Sequence, residues 1–242
     1  MPKTYAIGDI HGGFNALKEL IEKLPLQTQD TLIFLGDYVD GWSDSPKVIS
    51  YLMQLKNNYT CIFIKGNHDQ LLLDYFKNNS MPEQWLHHGG KSTIDAYKNI
   101  DSKTKKQHQE FLENLTPYHI DAKNRLFVHA GFTNIKGPSL EYFPEMLHWD
   151  RTLWETALVT SNSINLEQKI YPKRLLLFSE IYIGHTPTTR IDQFKPMKAA
   201  NVWNIDTGAA FKGSLSAIEI GHKTIFQSSP VYKLYPNEKG RN

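Results

Sequence analysis

The chain has 242 residues, of which 40% are hydrophobic and 12% aromatic, so it is long and apolar enough to bury a sizeable core. Its 27 Lys and Arg residues nearly balance its 25 Asp and Glu residues, and this balance gives no electrostatic argument for a nucleic-acid partner. The single cysteine, Cys61, cannot form an internal disulfide, and we interpret it as a buried structural thiol.

The N-terminal residues enter an apolar run directly, without the basic and then apolar leader of a signal peptide. No apolar run approaches the length of a membrane span. We therefore expect a cytoplasmic protein that has no membrane partner. Because the motifs described below extend through most of the chain, we expect a single domain over residues 1–242.

Short apolar runs alternate with helical patterns in the first quarter of the chain. The runs Thr4–Ile7, Thr31–Leu35 and Tyr59–Lys65 predict strands. Between them, apolar residues spaced as on one helix face predict helices over residues 14–24 and 48–55. This order of strand, helix and strand is typical of right-handed crossovers in a sheet that has helices packed against it.

The remainder of the chain adds a helical region and more short strands. Residues 69–116 are mostly helical by periodicity, and we expect a helical insertion beside the sheet in which the basic run 103–106 is the solvated start of a helix. Residues 156–167 are polar and weakly patterned, which favours a mobile loop. Further strands are predicted at Leu126–Val128, Ile181–Ile183, Val202–Ile205, Leu215–Ile220 and Thr224–Gln227. We expect a central mixed sheet, or two packed sheets, with helices outside.

Five predicted strands end in a glycine-containing turn that carries carboxylate, amide or imidazole groups. The turns are Gly8-Asp9-Ile10-His11-Gly12, Gly36-Asp37-Tyr38-Val39-Asp40, Gly66-Asn67-His68-Asp69, His129-Ala130-Gly131 and Gly184-His185-Thr186. Ligands gather outside the carboxyl ends of strands in an open α/β sheet, so these side chains are expected to share one pocket. A lone Asp or His in such a turn is usually a cap or a surface residue, but the same pattern after five strands favours a joint site. A set without thiolates suits divalent Mn, Fe or Zn and argues against a structural zinc site.

These five blocks resemble the signature blocks of the calcineurin-like metallophosphoesterases. More narrowly, they resemble the phosphoprotein phosphatase branch, which includes the phage lambda phosphatase and bacterial relatives. The blocks occur in the family's order from residue 8 to residue 186, and Asp206-Thr207-Gly208 resembles a later bacterial block. The resemblance implies an α/β (α+β) fold, a central mixed β-sandwich of two sheets flanked by helices.

The resemblance also implies two divalent metal ions. Manganese is the expected metal, and iron and zinc are the alternatives. Asp9, His11 and Asp37 would hold the first metal, and the second would be held by Asp37, Asn67, His129 and His185. A bridging carboxylate such as Asp37 can hold two cations about 3.5–4 Å apart, the spacing used for in-line displacement at phosphorus. Water bound between two such cations loses its proton near neutral pH, so no protein nucleophile is required.

His68 is then available as the general acid that protonates the leaving oxygen. Because a free imidazole is largely neutral at pH 7, a nearby carboxylate is needed to keep it protonated and oriented. The resemblance implies that Asp40 is this partner, and the alternative for Asp40 is a turn-capping aspartate.

The chain departs from the family pattern at the residue after Asp40. The family's block continues Asp-Arg-Gly, with an arginine that clamps the substrate phosphate, whereas this sequence reads Asp40-Gly41-Trp42. Arg151 matches in position a second phosphate-clamping arginine of the lambda-type enzymes. Lys91, in a glycine-rich turn before a helix, is a further candidate for binding the substrate phosphate, together with Asn67.

The predicted function is metal-dependent hydrolysis of phosphomonoesters, with phosphoserine or phosphothreonine in proteins as the expected substrate. The alternative within the enzyme class is symmetrical cleavage of diadenosine tetraphosphate, whose hydrolase shares these blocks. A third hypothesis is a phosphate-binding module that lost catalysis together with the arginine at position 41. The partner is in each case a phosphorylated molecule, either a phosphoprotein or a small phosphoester.

Overall fold

The computed structural model describes residues 2–241, which form two five-stranded sheets with helices on their outer faces. The strands are β1 (Thr4–Ile7), β2 (Thr31–Phe34), β3 (Thr60–Phe63), β4 (Tyr118–Ile120), β5 (Arg125–Val128), β6 (Glu180–Ile183), β7 (Met197–Ala199), β8 (Val202–Asn204), β9 (Ser214–Glu219) and β10 (Ile225–Pro230). One sheet has the order β10-β9-β1-β2-β3, and the other has the order β4-β5-β6-β8-β7.

The helices connect and cover these strands. They are α1 (Phe14–Lys23), α2 (Ser45–Leu55), α3 (Asn67–Asn78), α4 (Glu83–Trp85), α5 (Lys91–Tyr97), α6 (Ser102–Glu113), α7 (Met146–Trp149), α8 (Thr152–Ser163) and α9 (Val231–Leu234). A π-turn spans Leu86–Gly90, and 3₁₀ turns span Pro138–Leu140, Lys173–Leu176 and Thr188–Ile191. The helices α3 to α6 lie largely in the region 69–116 in which we expected a helical insertion, and the basic run 103–106 lies in the first turns of α6.

Both sheets are mixed. In the first sheet, β1, β2 and β3 run parallel at one side, with β3 at the edge, and β9 pairs antiparallel with both β1 and β10. In the second sheet, β5, β6 and β8 run parallel, and the antiparallel strands β4 and β7 form the edges. The prediction of an α/β fold with two mixed sheets flanked by helices is confirmed.

Alternation along the strands explains why the sheets pack face to face. In β1, Tyr5 and Ile7 pack in the core beneath the helices, whereas Ala6 packs in the core between the sheets. In β5, Phe127 faces the same inter-sheet core, where its ring stacks on Tyr182 of β6 at a centroid distance of 4.9 Å. Strands buried on both faces read as continuous apolar runs, which is the pattern that the sequence carries.

The predicted loop over residues 156–167 is wrong for most of its length, because α8 extends to Ser163. Three apolar side chains, Leu153, Trp154 and Ala157, are buried against the second sheet. Two of them precede residue 156. The segment 156–167 therefore contains only part of the apolar helix face, and its sequence is mostly polar. Packing of that face stabilises the helix more than the local pattern indicates.

Smaller differences concern β4 and β7 and the single thiol. The strands β4 and β7 were not predicted; each has three residues and lies at a sheet edge, which leaves a weak signal in sequence. Cys61 lies in β3 and is partly buried rather than fully buried, and this burial raises its pKa to about 11. Within residues 2–241, no helix combines the length and apolarity that a membrane crossing requires.

Candidate metal centre and active site

The six predicted metal ligands converge at the rim where the carboxyl ends of both sets of parallel strands meet. Asp9 and His11 follow β1, Asp37 follows β2, and Asn67 is the first residue of α3 after β3. In the other sheet, His129 directly follows β5, and His185 lies two residues after the end of β6. None of the six is more than 8% exposed. Since five strands from two sheets contribute, the site lies at the seam between the sheets.

Several site residues have a backbone conformation that side chains other than glycine rarely adopt. The φ angles of His11, Asp37, Asp40 and His185 are 51°, 54°, 72° and 66°. Such conformations cost free energy and persist only where surrounding structure enforces them, and they cluster at functional sites. Three of the six predicted ligands and Asp40 therefore lie in strained turns.

The Asp69 carboxylate holds the most important of these turns in place. It accepts hydrogen bonds from the backbone N–H groups of Asp37 at 2.8 Å, Tyr38 at 2.9 Å and Gly66 at 2.8 Å. Asp69 thus ties the turn after β2 to the start of α3. Gly66 leaves room for this close approach, because a Cβ there would clash with the Asp37 carboxylate.

The donor atoms form one compact cluster around Asp37. Its Oδ2 lies 3.5 Å from His11 Nε2 and 3.4 Å from His129 Nε2. Asn67 Oδ1 lies 3.2 Å from His129 Nε2 and 3.0 Å from His185 Nδ1. His129 donates its Nδ1–H to the Leu35 carbonyl at 2.7 Å, and His11 Nδ1 lies 3.1 Å from the Val39 carbonyl. These backbone contacts turn both Nε2 atoms toward the cluster, as in metal-ligating histidines.

The residues present fit divalent metal ions. Two triads, His11–Asp37–His68 and Asp37–His129–His185, each place their ligand atoms within 4.8 Å of one another, and they share Asp37. Asp9 Oδ1 is buried and has no hydrogen-bond partner within residues 2–241. Buried polar atoms without partners are costly and require an explanation, which metal ligation would supply. The first triad contains His68 where we expected Asp9, whose Oδ2 lies 3.9 Å from His11 Nε2.

The site concentrates buried negative charge. Burial and the neighbouring Asp206 raise the pKa of Asp9 well above its usual range. Burial and the nearby Asp37 raise the pKa of Asp69 to about 7, and burial raises that of Asp206 to about 6. Carboxylates with raised pKa values favour protons or other cations, so the electrostatics of this pocket favour cation binding.

His129 and Asp37 behave as a charge pair in the metal-free chain. Burial alone would raise the pKa of Asp37, but the imidazoles of His129 and His68 hold it well below its usual range. Burial alone would lower the pKa of His129, but Asp37, close by and hydrogen-bonded to the ring, raises it to about 10. The His129 proton therefore occupies a place where a metal ion would bind.

The predicted acid pair is assembled beside this cluster. His68 donates its Nδ1–H to Asp40 Oδ2 at 2.6 Å, and both side chains are buried. Trp85 Nε1 donates to the same oxygen at 2.5 Å, so Asp40 is held from two sides. The Asp40 backbone N–H lies 3.0 Å from Thr93 Oγ1, which fixes the turn to α5. The Asp40 carboxylate thereby orients the His68 ring toward the cavity.

A cavity of about 520 Å³ opens above the site and brings three arginines together. Arg151, Arg190 and Arg241 line it, together with His68, Asp206 and the aromatic residues Trp85, Trp149 and Phe211. Burial, with Arg190 and Arg241 nearby, lowers the pKa of Arg151. Lys91 does not line this cavity and is exposed at the start of α5. The guanidinium groups give the cavity an electropositive wall.

Sequence analysis assigned no role to five residues that shape the site: Asp69, Trp85, Arg190, Asp206 and Arg241. Asp206 lies two residues after the end of β8, a position similar to that of the predicted ligands after their strands, so this residue could have been found. Asp69 lies three residues after Gly66, where an acidic side chain commonly caps a helix. Trp85, Arg190 and Arg241 carry no local signal, because each reaches the site from a distant part of the chain.

Comparison with known proteins gives a consistent assignment. The profile of the calcineurin-like phosphoesterases matches residues 2–217. The asymmetrical bis(5'-nucleosyl)-tetraphosphatase PrpE of Oceanobacillus iheyensis is 28% identical, over 91% of this chain and 90% of its own length. Serine/threonine-protein phosphatase 1 of Salmonella typhimurium is 26% identical, over 90% of this chain and 91% of its own. A solved structure of a candidate diadenosine tetraphosphatase has a TM-score of 0.65 and 21% identity, covering 94% of this chain and 95% of the other, and supports the fold alone.

The shared position of Asp37 predicts a specific effect on metal content. Asp37→Asn removes the carboxylate common to both triads, so we expect metal binding to fall from about two ions per chain to fewer than about one. Elemental analysis of manganese-loaded protein measures this change. Asp74→Asn is the matched control, because Asp74 lies in α3 and does not line the cavity. One ion per chain in a fully active unmodified protein would contradict the binuclear arrangement.

The charge pair predicts that metal binding releases protons. Below its pKa of about 10, His129 is protonated in the metal-free chain and must lose this proton before Nε2 can ligate. Apparent metal affinity should therefore rise by about tenfold or more per pH unit between about pH 6 and pH 8, in line with the release of one or more protons. Calorimetric titration in two buffers of different ionisation enthalpy counts the protons. A pH-independent affinity would contradict the assignment of His129.

Proposed function

The chain belongs to the calcineurin-like phosphoesterases, and on this premise we propose that its substrates are dinucleoside polyphosphates. The predicted resemblance is confirmed by the match over residues 2–217, and the chain is accordingly a metallophosphoesterase, a hydrolase that acts on phosphoesters. The choice of substrate within this family depends on the cavity above the metal ligands.

The observation that supports a polyphosphate substrate is the grouping of three arginines around one cavity. Arg151, Arg190 and Arg241 come from three separate parts of the chain and line the same cavity, close enough for Arg190 and Arg241 to lower the pKa of Arg151. One phosphate group needs one or two such clamps, whereas a run of linked phosphates presents several anionic groups in a row. Guanidinium groups bind phosphate oxygens in a bidentate manner, so three of them suit an extended polyphosphate.

The remaining cavity walls suit the nucleoside parts of such a substrate. Trp149 is 45% exposed beside the site, and Phe211 lines the cavity below Arg241. Exposed aromatic faces stack on nucleobases without requiring a particular base. The Oceanobacillus relative supports the same reading, since it is named as a tetraphosphatase of this substrate class.

In the proposed mechanism, this chain binds, orients and protonates the substrate. Two divalent cations, held by Asp9, His11, Asp37, Asn67, His129 and His185, would supply Lewis-acid charge and a nucleophilic water near neutral pH. The arginines and Asn67 would orient the phosphoryl oxygens. His68, held by Asp40 through Nδ1, would donate a proton from Nε2 to the leaving oxygen.

A second candidate function is hydrolysis of phosphoserine or phosphothreonine in proteins. The Salmonella relative named as a serine/threonine phosphatase supports it. So do the exposed apolar side chains of Tyr142 and Phe143, 85% and 64% exposed in the segment before α7, which suit contact with a polypeptide. Both candidates use the same metal ligands and the same acid pair, and they differ only in what surrounds the phosphate.

A direct comparison of substrates tests the proposal. With manganese-loaded protein, kcat/KM for diadenosine tetraphosphate should exceed that for a phosphothreonine peptide by about tenfold or more, since only the dinucleotide engages all three arginines. Chromatography of the products identifies the cleaved bond, because symmetrical cleavage gives only ADP whereas asymmetrical cleavage gives ATP and AMP. A preference for the phosphopeptide would favour the second candidate. Absence of turnover on both substrates and on an aryl phosphate, with metals bound, would favour a degenerate binding module.

The acid pair predicts a dependence on the leaving group. His68→Asn should slow substrates with a poor leaving group by about 10²–10⁴-fold, the usual contribution of general acid catalysis. An aryl phosphate should slow far less, because its leaving group needs little protonation. Steady-state kcat on an alkyl and an aryl phosphate measures the difference. Equal slowing of both would mean that His68 positions the phosphate or the metals instead.

A further inference from the structure

We propose that Arg241 binds the substrate phosphate, and that the C-terminal segment, residues 235–241, delivers this cation to the metal centre. The inference rests on the proposed function only in that the substrate carries a phosphate group. It applies equally to a dinucleotide and to a phosphoprotein.

The Arg241 guanidinium lies beside the candidate metal ligands and forms no ion pair at bonding distance within residues 2–241, although Asp206 is near enough for Arg241 to lower its pKa. Its Nη1 is 3.4 Å from His11 Nε2, and its Cζ lies 5.4 Å from the centroid of the Phe211 ring. Its Nε is buried and has no hydrogen-bond partner within the described residues, and Arg241 forms no ion pair with a carboxylate there. A partly buried guanidinium on a cavity wall with unused donors favours an oxyanion.

The segment that carries Arg241 is fastened to the fold at several points. The Arg241 backbone N–H donates to the Ala210 carbonyl at 2.9 Å. Tyr235 stacks on Trp42 with ring centroids 5.3 Å apart, and its hydroxyl donates to Asp44 at 2.8 Å. Ser43 donates to Glu238 from both its backbone N–H and its hydroxyl. Arg241 is therefore positioned in advance of binding, which lowers the entropic cost of holding a ligand.

Gly41 faces the Arg241 stem, as does Gly89. A Cβ at Gly41 would lie 3.3 Å from Arg241 Cγ, and Gly41 has a φ of 107°, which a side chain would strain. Position 41 is where the family pattern led us to expect an arginine. The Arg241 stem occupies the space beside Gly41. A distant part of the chain therefore places a guanidinium next to the position at which the family pattern has an arginine and this chain has glycine.

The contact with His11 also indicates where the guanidinium points when the site is loaded. His11 Nε2 has a single lone pair, and it cannot serve both the Arg241 N–H and a metal ion. With His11 Nε2 holding a metal ion, the Arg241 donors would lack this acceptor and would be available to a ligand in the cavity. The guanidinium remains close to the reacting centre because its stem and backbone are held elsewhere.

Binding of inorganic phosphate to manganese-loaded protein tests the proposal. Arg241→Ala should weaken phosphate binding by about tenfold or more, as expected for loss of a charge-assisted bidentate contact, and Arg241→Lys should recover part of the loss. Arg151→Ala provides the comparison with the arginine expected from the sequence. Lys233→Ala is the charge-matched control, since Lys233 is exposed in α9 and does not line the cavity. Calorimetry measures the affinity, and elemental analysis measures the metal content.

A loss of less than about threefold in Arg241→Ala, or an equal loss in the Lys233 control, would overturn the proposal. A fall in metal content would also overturn it, since Arg241 would then act through His11. If Arg241→Ala lowers Tm, the phosphate affinity of Arg241→Gln tests the proposal in its place. The glutamine side chain retains most of the stem over Phe211. Because phosphate binding is measured without a chosen substrate, failure of dinucleotide hydrolysis would leave this result standing, and the two proposals can fail separately.

Discussion

Buried negative charge at the seam of the two sheets is the constraint on which the rest of the site depends. Asp9, Asp37, Asp69 and Asp206 are each no more than 3% exposed, and they lie close enough to alter one another's pKa. Carboxylates out of contact with water repel one another strongly and require compensation. Histidines, backbone N–H groups and, we propose, metal ions supply it, and the folded chain is arranged to bring all three to one place.

Backbone donors are the part of this compensation that the fold itself provides. The start of α3 presents the His68 N–H to Asp37 Oδ1 at 2.9 Å, and the N–H of His185 donates to Asp9 Oδ2 at 3.0 Å. Asp69 receives three such donors from two turns. Helix N-termini and tight turns stabilise anions in this way because their N–H groups lack other partners. Directing these N–H groups toward the carboxylates requires left-handed backbone conformations at several site residues, and these conformations cost free energy.

The cavity surrounds this acidic cluster with positive charge. Arg151 precedes α8, Arg190 lies in the 3₁₀ turn Thr188–Ile191, and Arg241 comes from the C-terminal segment. Asp150 fixes the first of these positions by accepting the N–H groups of Thr152 and Leu153 at the start of α8. Under the proposed function, a substrate with several phosphates would contact both zones, with its reacting phosphate at the candidate metal ligands and its remaining charge against the arginines. The pocket therefore combines candidate cation ligands with groups suited to anions.

The sequence by itself predicted most of the strands and singled out the candidate metal ligands and acid pair that the structure brings together, because their signals are local. Each ligand follows an apolar run within a few residues, and the side-chain period of a strand dictates which faces are buried. Tertiary structure alone decided the contacts that span large distances along the chain: Trp85 reaches Asp40 across 45 positions, and Arg241 reaches His11 across 230. It also decided that residues 152–163 form a helix, since their apolar face is stabilised by the second sheet. No local pattern encodes such contacts, because the packing of distant elements fixes them only after the two sheets have come together.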